Sequence, residues 1–332
     1  MKNKIYCGLA AAAAVISMAS CSDWTDPERV DVVYDGIAET DAEAYAKYLQ
    51  NLRDYRANGH KKVYAWYENK GSFTSQADHV SAVPDSIDVL VLKDPTIVTG
   101  DALYDMQQKR TQTGMQMACT VDYNSIQSAF NALVETGTDA SGWSAYLKEQ
   151  TEAILSGATA AELDRVIAAY ETKDFSMMTS AEAAEAAANE AAFFQSIMTW
   201  AANVDGRAYD FMGTPATVND KTILTGAGVI FLSETASATS TAEYNLAIAR
   251  SSATGVPTDR FAVVAPLPGT DANGNAVGTW GSTYTSWDAA EWSRGASVKA
   301  LGLTNLANDY YNPTFIYPVS REAIQILNPA AK

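Results

Sequence analysis

The sequence predicts an α/β fold: a (β/α)8 TIM barrel, single domain, after a signal peptide and a short tether. Two observations lead there. Seven short apolar runs, mostly separated by helical stretches, cover about 270 residues, and such alternation builds a parallel sheet joined by helices. The chain has 332 residues and is 47% hydrophobic, enough for one large core and too apolar for global disorder. An open doubly wound sheet is the alternative arrangement of the same elements. Its nucleotide-binding versions are disfavoured, because no G-x-G-x-x-G or Walker loop follows any run, and no cofactor is expected.

The first helix is expected over residues 40–58. Thr40 stands as its N-cap, Glu43 completes a capping box, and Gly59 ends it. Tyr45, Tyr48, Leu49 and Leu52 recur at helical spacing along it. Residues 63–67 read as the first strand, closed by Glu68 and Asn69. Residues 87–92 read as the second, closed by Lys93, Asp94 and Pro95. A helix over 101–112 leads to a third strand at 115–121, which ends at Asp122. Helical stretches follow at 124–135, 141–155 and 159–171. Residues 180–203 form a long helix capped by Ser180, with Phe193, Phe194, Ile197, Met198 and Trp200 on its apolar side. Strands at 208–212 and 229–232 come next, then a helix at 241–250. A strand at 261–265 is closed by Pro266 and Pro268. The last strand lies near 301–306, and a helix over 320–327 ends the pattern.

The N-terminus reads as an address. Lys2 and Lys4 precede an apolar stretch over 5–20, and Met18-Ala19-Ser20-Cys21 resembles a bacterial lipobox. Residues 1–20 are therefore expected to be a lipoprotein signal peptide. Residues 21–39 form the tether, with Cys21 lipidated, and residues 40–332 form the barrel. An ordinary signal peptide cut nearby is the alternative. The lipid anchor places the protein at the bacterial cell envelope, with the outer membrane and surface exposure as the expectation.

Charge narrows the function. There are 39 Asp+Glu against 23 Lys+Arg, for a net charge of −16, and removal of residues 1–20 takes away two lysines and no acid, giving −18. Such a chain lacks the basic face that nucleic acid requires. The two histidines, His60 and His79, argue against a multi-His metal site and are given no role. Cys7 lies in the leader and Cys21 carries lipid, so Cys119 alone remains and no internal disulfide is expected.

Several stretches carry a family resemblance. They are Cys21-Ser22-Asp23-Trp24-Thr25-Asp26-Pro27-Glu28, Ala46-Lys47-Tyr48-Leu49 and Thr254-Gly255-Val256-Pro257-Thr258-Asp259-Arg260. Near the C-terminus they are Asn308-Asp309-Tyr310-Tyr311-Asn312-Pro313-Thr314, Tyr317-Pro318 and Arg321-Glu322-Ala323-Ile324. Together these resemble the lipoprotein branch of glycoside hydrolase family 18, whose members resemble endo-β-N-acetylglucosaminidases and chitinases on a TIM barrel. The resemblance implies glycan or glycoprotein ligands and a place beside other glycan-uptake components. It also implies a substrate-assisted retaining mechanism. A Glu at the end of the fourth strand protonates the leaving oxygen, and the acetamido carbonyl of the substrate attacks the anomeric carbon. A neighbouring Asp orients that acetamide. The motif is D-x-x-D-x-D-x-E, because alternate residues of one strand point inward.

The sequence reads as lacking this motif. The nearest string is Asp205 to Met212, where Ala208 and Met212 replace the middle Asp and the Glu. That string looks like the fifth strand, since the helix with Phe193 and Phe194 precedes it. The fourth is then expected near 167–178, which offers no D-x-D-x-E. Glu171 and Glu234 are the fallback acids, with a helix end as the bland reading of Glu171.

A barrel binds at the C-terminal ends of its strands. That rule nominates Glu68, Asp94, Asp122, Asp210, Glu234 and Asp309, whose carboxylates suit sugar hydroxyls. Solvated strand ends and helix caps are their structural alternative, above all for Asp122. Met212 could line a pocket floor or fill a gap. Aromatic rings stack on sugars, which nominates Trp280 in a Gly-rich loop and Tyr310 and Tyr311 at the end of the eighth strand. Of Trp66 and Tyr67, alternation puts one inside the barrel. The expectation is a glycan-binding, catalytically inactive surface lipoprotein for N-acetylglucosamine-containing glycans. An active endo-β-N-acetylglucosaminidase and a structural lipoprotein that binds no sugar stay open beside it.

Overall fold

The structure, a computed structural model, describes residues 41–138, 142–171, 175–270, 274–312 and 315–329. The chain divides into two compact units between Tyr48 and Leu49. Of the first unit, residues 41–48 are described, and they open helix α1 (Ala42–Ala57). The Asp41 carboxylate caps it, accepting a 2.9 Å hydrogen bond from the Ala44 N–H. Thr40, the tether and Cys21 lie outside the described residues.

The second unit is a closed barrel of eight parallel strands in the order β1-β8-β7-β6-β5-β4-β3-β2. The strands are β1 (Lys62–Tyr67), β2 (Val89–Leu92), β3 (Gln116–Asp122) and β4 (Arg165–Tyr170). They continue with β5 (Ala208–Gly213), β6 (Ile230–Leu232), β7 (Phe261–Pro266) and β8 (Ala300–Thr304). Helices α2 (Gly100–Thr113), α3 (Tyr123–Glu135), α4 (Trp143–Ala160) and α5 (Ser180–Ala202) serve the first half of the barrel. Helices α6 (Thr241–Ser251), α7 (Thr285–Gly295) and α8 (Pro318–Leu327) serve the second.

Two apolar layers hold the barrel. Tyr64, Val89, Val91, Ala118, Ile167, Phe231, Ala262, Val264 and Ala300 fill its interior. A larger layer, including Leu90, Leu92, Phe193, Phe194, Phe211 and Leu301, lies between strands and helices. Buried on both faces, β2, β4 and β6 lose the apolar–polar alternation that marks a half-exposed strand. Each large apolar side chain so buried contributes roughly 1.5–3 kcal/mol.

The expected helix over 159–171 is corrected. Helix α4 runs to Ala160, a turn with Glu162 at φ 56° follows, and the rest is strand β4. This supplies the eighth strand. The cap of α5 is Thr179 rather than Ser180: its hydroxyl accepts from the Glu182 N–H, and the Glu182 carboxylate accepts from the Thr179 N–H at 2.8 Å. The last strand ends at Thr304, so Tyr310 closes a short helix, Leu306–Tyr310, and Tyr311 follows it. The Gly-rich stretch after β7 forms two-residue ladders, Gly269–Thr270 with Ala276–Val277 and Thr279–Trp280 with Thr283–Tyr284.

Candidate functional site

The C-terminal end of the barrel opens into a cleft of about 690 Å³. That volume is within the range of small-molecule sites, roughly 300–1,000 Å³. Trp66, Val91, Thr120, Ala169, Met212 and Thr304 wall it, and each belongs to a different strand. They come together because alternate residues point inward and the last inward residue of a strand faces the mouth. Trp66 is that residue on β1. It packs edge-on against Phe231, and its indole N–H donates to the Thr120 hydroxyl at 3.2 Å. Gly302 on β8 makes room for it, since a Cβ there would stand 2.9 Å from the indole ring. Tyr67 points the other way, into the helix layer, and reaches the cleft at its edge.

Strand β4 carries the position that matters most. Asp164, Ile167, Ala169 and Glu171 occupy the spacing D-x-x-D-x-D-x-E, with Ile167 and Ala169 where the two middle Asp would be. Ile167 is sealed in the barrel interior, and Ala169 faces the cleft. Glu171 directly follows the strand, as a fourth-strand acid would, so it does not finish a helix. One carboxylate oxygen accepts from Thr214 Oγ1 at 3.1 Å and the other from Ser233 Oγ, tying it to the ends of β5 and β6. Asp164 turns away from the site: it accepts from the Met117 N–H and pairs with Arg110 at 2.6 Å. The spacing from Asp164 to Glu171 was present in the sequence. No local signal marks it, because the stretch reads as a helix over 159–171 and as a strand only from 167, whereas the strand runs from Arg165 to Tyr170.

The other nominated residues separate into three groups. Glu68, Asp122 and Met212 wall the cleft. Glu68 pairs with Lys93 at 2.7 Å, and this hydrogen bond, with the lysine charge, holds its carboxyl below the usual range. Asp122 caps α3, accepting from the N–H groups of Asn124 and Ser125 and from the Ser125 hydroxyl. Asp94, Glu234, Trp280, Tyr310 and Tyr311 lie off the cleft wall. Asp94 caps the turn after β2 by accepting from the Thr96 N–H at 2.9 Å. Glu234 pairs with Arg250 at 3.1 Å. Trp280, nominated as a stacking platform, is half-buried: its indole donates to the Ala238 carbonyl and its ring packs on Tyr244. Tyr310 stacks edge-on between Tyr311 and Tyr317, and Tyr311 is 71% exposed.

Asp210 and Asp309 are buried and structural. Asp210 lies one inward layer below Met212, fully buried, and takes a two-pronged hydrogen bond from Arg165 at 2.6 and 2.8 Å and a third from Tyr64 at 3.2 Å. Burial opposes the Arg165 charge, but the bond to Asp210 outweighs it and raises the guanidinium pKa. Asp309 accepts from the N–H groups of Val319 and Ser320 and so caps α8. Their strand-end appearance in the sequence came from spacing alone, which does not distinguish an inward-pointing cap or ion pair from a site group.

The polar groups that sequence reasoning missed sit beside β8. Asn305, at φ 61°, and Asn308 wall the cleft with Thr270 and Thr304. Their side chains hydrogen-bond to nothing among the described residues.

Comparison with known proteins agrees with this architecture. The family model described as "Glycoside hydrolase family 18, BT1044-like" matches residues 25–326. Among solved structures, a selenomethionine form of BT1044 with a Glu-to-Gln substitution superposes with a TM-score of 0.60 at 14% identity, covering 88% of this chain and 95% of that one. The endo-β-N-acetylglucosaminidase of Cordyceps militaris gives 0.59 at 13% identity, covering 85% and 95%. YKL-39, solved in the presence of chitooligosaccharides, gives 0.52 at 9% identity, covering 81% and 100%. Likeness at these identities is a likeness of fold. No curated protein matches the chain.

Proposed function

Because the chain belongs to glycoside hydrolase family 18, in its BT1044-like branch, we propose that it binds N-acetylglucosamine-containing glycans in the mouth cleft without hydrolysing them. The observation that carries this reading is the inward face of β4. Ile167 and Ala169 stand at the two carboxylate positions that precede Glu171. Substrate-assisted hydrolysis needs an Asp beside the acid to orient the acetamide and stabilise the cyclic cation. A methyl group at residue 169 can do neither. Loss of one group that stabilises developing charge in the transition state lowers rates about 10²–10³-fold. The lipobox-like Cys21 extends the proposal to a lipid-anchored protein at the bacterial cell envelope, facing outward beside glycan-uptake components.

A second reading, an active endo-β-N-acetylglucosaminidase, draws on Glu171, which keeps the acid position at the end of β4. One experiment separates the two. Residues 22–332 are incubated at high concentration with an N-glycosylated glycoprotein, and the substrate is weighed by intact-mass spectrometry. Unchanged mass, beside an active family member cleaving in parallel and calorimetric binding of N-acetylchitooligosaccharides, is expected. A product retaining one N-acetylglucosamine, abolished by Glu171→Gln, would establish the hydrolase instead.

A further inference from the structure

We infer that the sugar-binding subsite is displaced from the β4–β6 sector that holds Glu171. It lies over Trp66 on the β8–β1–β3 side, is read by the Asn305 and Asn308 amides, and accepts uncharged sugar rings. This rests on the glycan-binding reading and adds where the sugar sits and which charge it carries.

The placement follows from the walls of the cleft. They are built from the ends of β1, β2, β3 and β8, with Ala169 and Met212 as the contribution of β4 and β5. No described residue of β6 walls the cleft, and neither does Glu171. Glu171 is occupied instead by the hydroxyls of Thr214 and Ser233. A ring resting on Trp66 therefore engages the opposite sector of the mouth. Trp66 is the aromatic side chain at the cleft that also reaches the barrel interior, held by Phe231 and Thr120 and given space by Gly302. Its position is thus pre-organised, and a rigid aromatic surface is what the apolar C–H face of a pyranose needs.

The charge class follows from counting which polar groups are already occupied. Among the described residues, two carboxylates and one basic residue wall the cleft. Glu68 is paired with that basic residue, Lys93. Asp122 accepts three hydrogen bonds at the start of α3. What remains without a described partner is neutral: the Asn305 and Asn308 amides and the Thr270 and Thr304 hydroxyls. An amide offers two donors and an acceptor, which suits hydroxyl or acetamido groups. Among the described residues, a cationic amino sugar would meet only carboxylates already engaged by donors, and an anionic sugar one lysine already engaged. Burying either charge without a partner is costly. The left-handed backbone at Asn305 aims this amide from the end of β8 and is a strained conformation of the kind that collects at ligand sites.

The test is isothermal titration of residues 22–332 with two probes, tetra-N-acetylchitotetraose and its fully deacetylated, cationic counterpart. Binding of the acetylated probe by the wild type tests the glycan-binding reading, and its absence would defeat that reading. With binding present, four results are expected. Trp66→Ala weakens it by roughly tenfold or more. Asn305→Ala with Asn308→Ala weakens it roughly tenfold, as for two lost hydrogen bonds. Glu171→Gln leaves it within about twofold. The cationic probe binds at least roughly tenfold more weakly, and raising the salt does not change the affinity for the neutral one. Urea midpoints equal to wild type certify that the variants are folded. Intact binding in folded Trp66 and amide variants, loss of binding in Glu171→Gln, or preference for the cationic probe would each overturn the inference.

Discussion

At the residue scale, buried charge is used for architecture rather than chemistry. Asp210 is the plainest instance. It looked like a strand-end ligand, yet it lies inside the barrel against Arg165 and Tyr64. Gly228 completes the arrangement, because a Cβ there would stand 2.5 Å from the guanidinium. Removing one partner leaves a buried charge unpaired, so Asp210→Ala should lower the unfolding free energy by about 3–5 kcal/mol in urea titrations. His60 acts at the other end of the same logic. Its Nε2 lies 2.8 Å from Asp88 and its Nδ1 2.9 Å from the Asn58 carbonyl. Burial lowers its pKa, but the hydrogen bond to Asp88, with the Asn58 carbonyl, prevails and the pKa is raised. A raised folded-state pKa means that protonated His60 stabilises the fold. That contribution is complete below the unfolded value of about 6.5 and is lost as pH rises through the higher folded value. Chemical denaturation from about pH 6 to about pH 8 should therefore show a decline in wild-type stability that His60→Gln flattens.

At the scale of elements, β4 decides how the site is understood. Its sequence, Arg-Val-Ile-Ala-Ala-Tyr, follows an alanine-rich helix without Gly, Pro or Asn between them. All six residues are buried, so there is no alternation to mark a strand. The break is made by Glu162 in the left-handed region, a conformation that costs a non-glycine residue and has no composition signal. Glu162→Gly should keep or raise the melting temperature, whereas β-branched Glu162→Val should lower it by a few degrees, roughly 2–4 °C. Equal midpoints for the two variants would show that the turn carries no strain. Once β4 is placed, Glu171 gains a position at the mouth, and the two missing carboxylates become a statement about particular residues, Ile167 and Ala169. The ends of the other strands were legible because Asp94, Pro95, Asp122 and Pro266 punctuate them.

At the scale of the whole molecule, an acidic chain carries a mouth cleft whose described charges are few and engaged. The net charge of −16 is carried by the full chain, while the described residues of the cleft wall hold one lysine and two carboxylates engaged by donors. Such a surface repels polyanions. Residues 22–332 should pass through a heparin column unretained at about 0.1 M salt, and retention would reveal a basic face. The sequence by itself determined the fold class and seven of the eight strands, because helical periodicity, apolar runs and turn residues are local and repeat along the chain, while the family resemblance rested on particular stretches such as Thr254 to Arg260 and Asn308 to Thr314. Only the tertiary structure decided the eighth strand, the burial of Asp210 and Asp309, and the meeting of Trp66 with Asn305 and Asn308. Barrel closure brings β1 beside β8, and residues more than two hundred positions apart then share one wall. No local pattern encodes that contact. It exists because eight twisted parallel strands close on themselves.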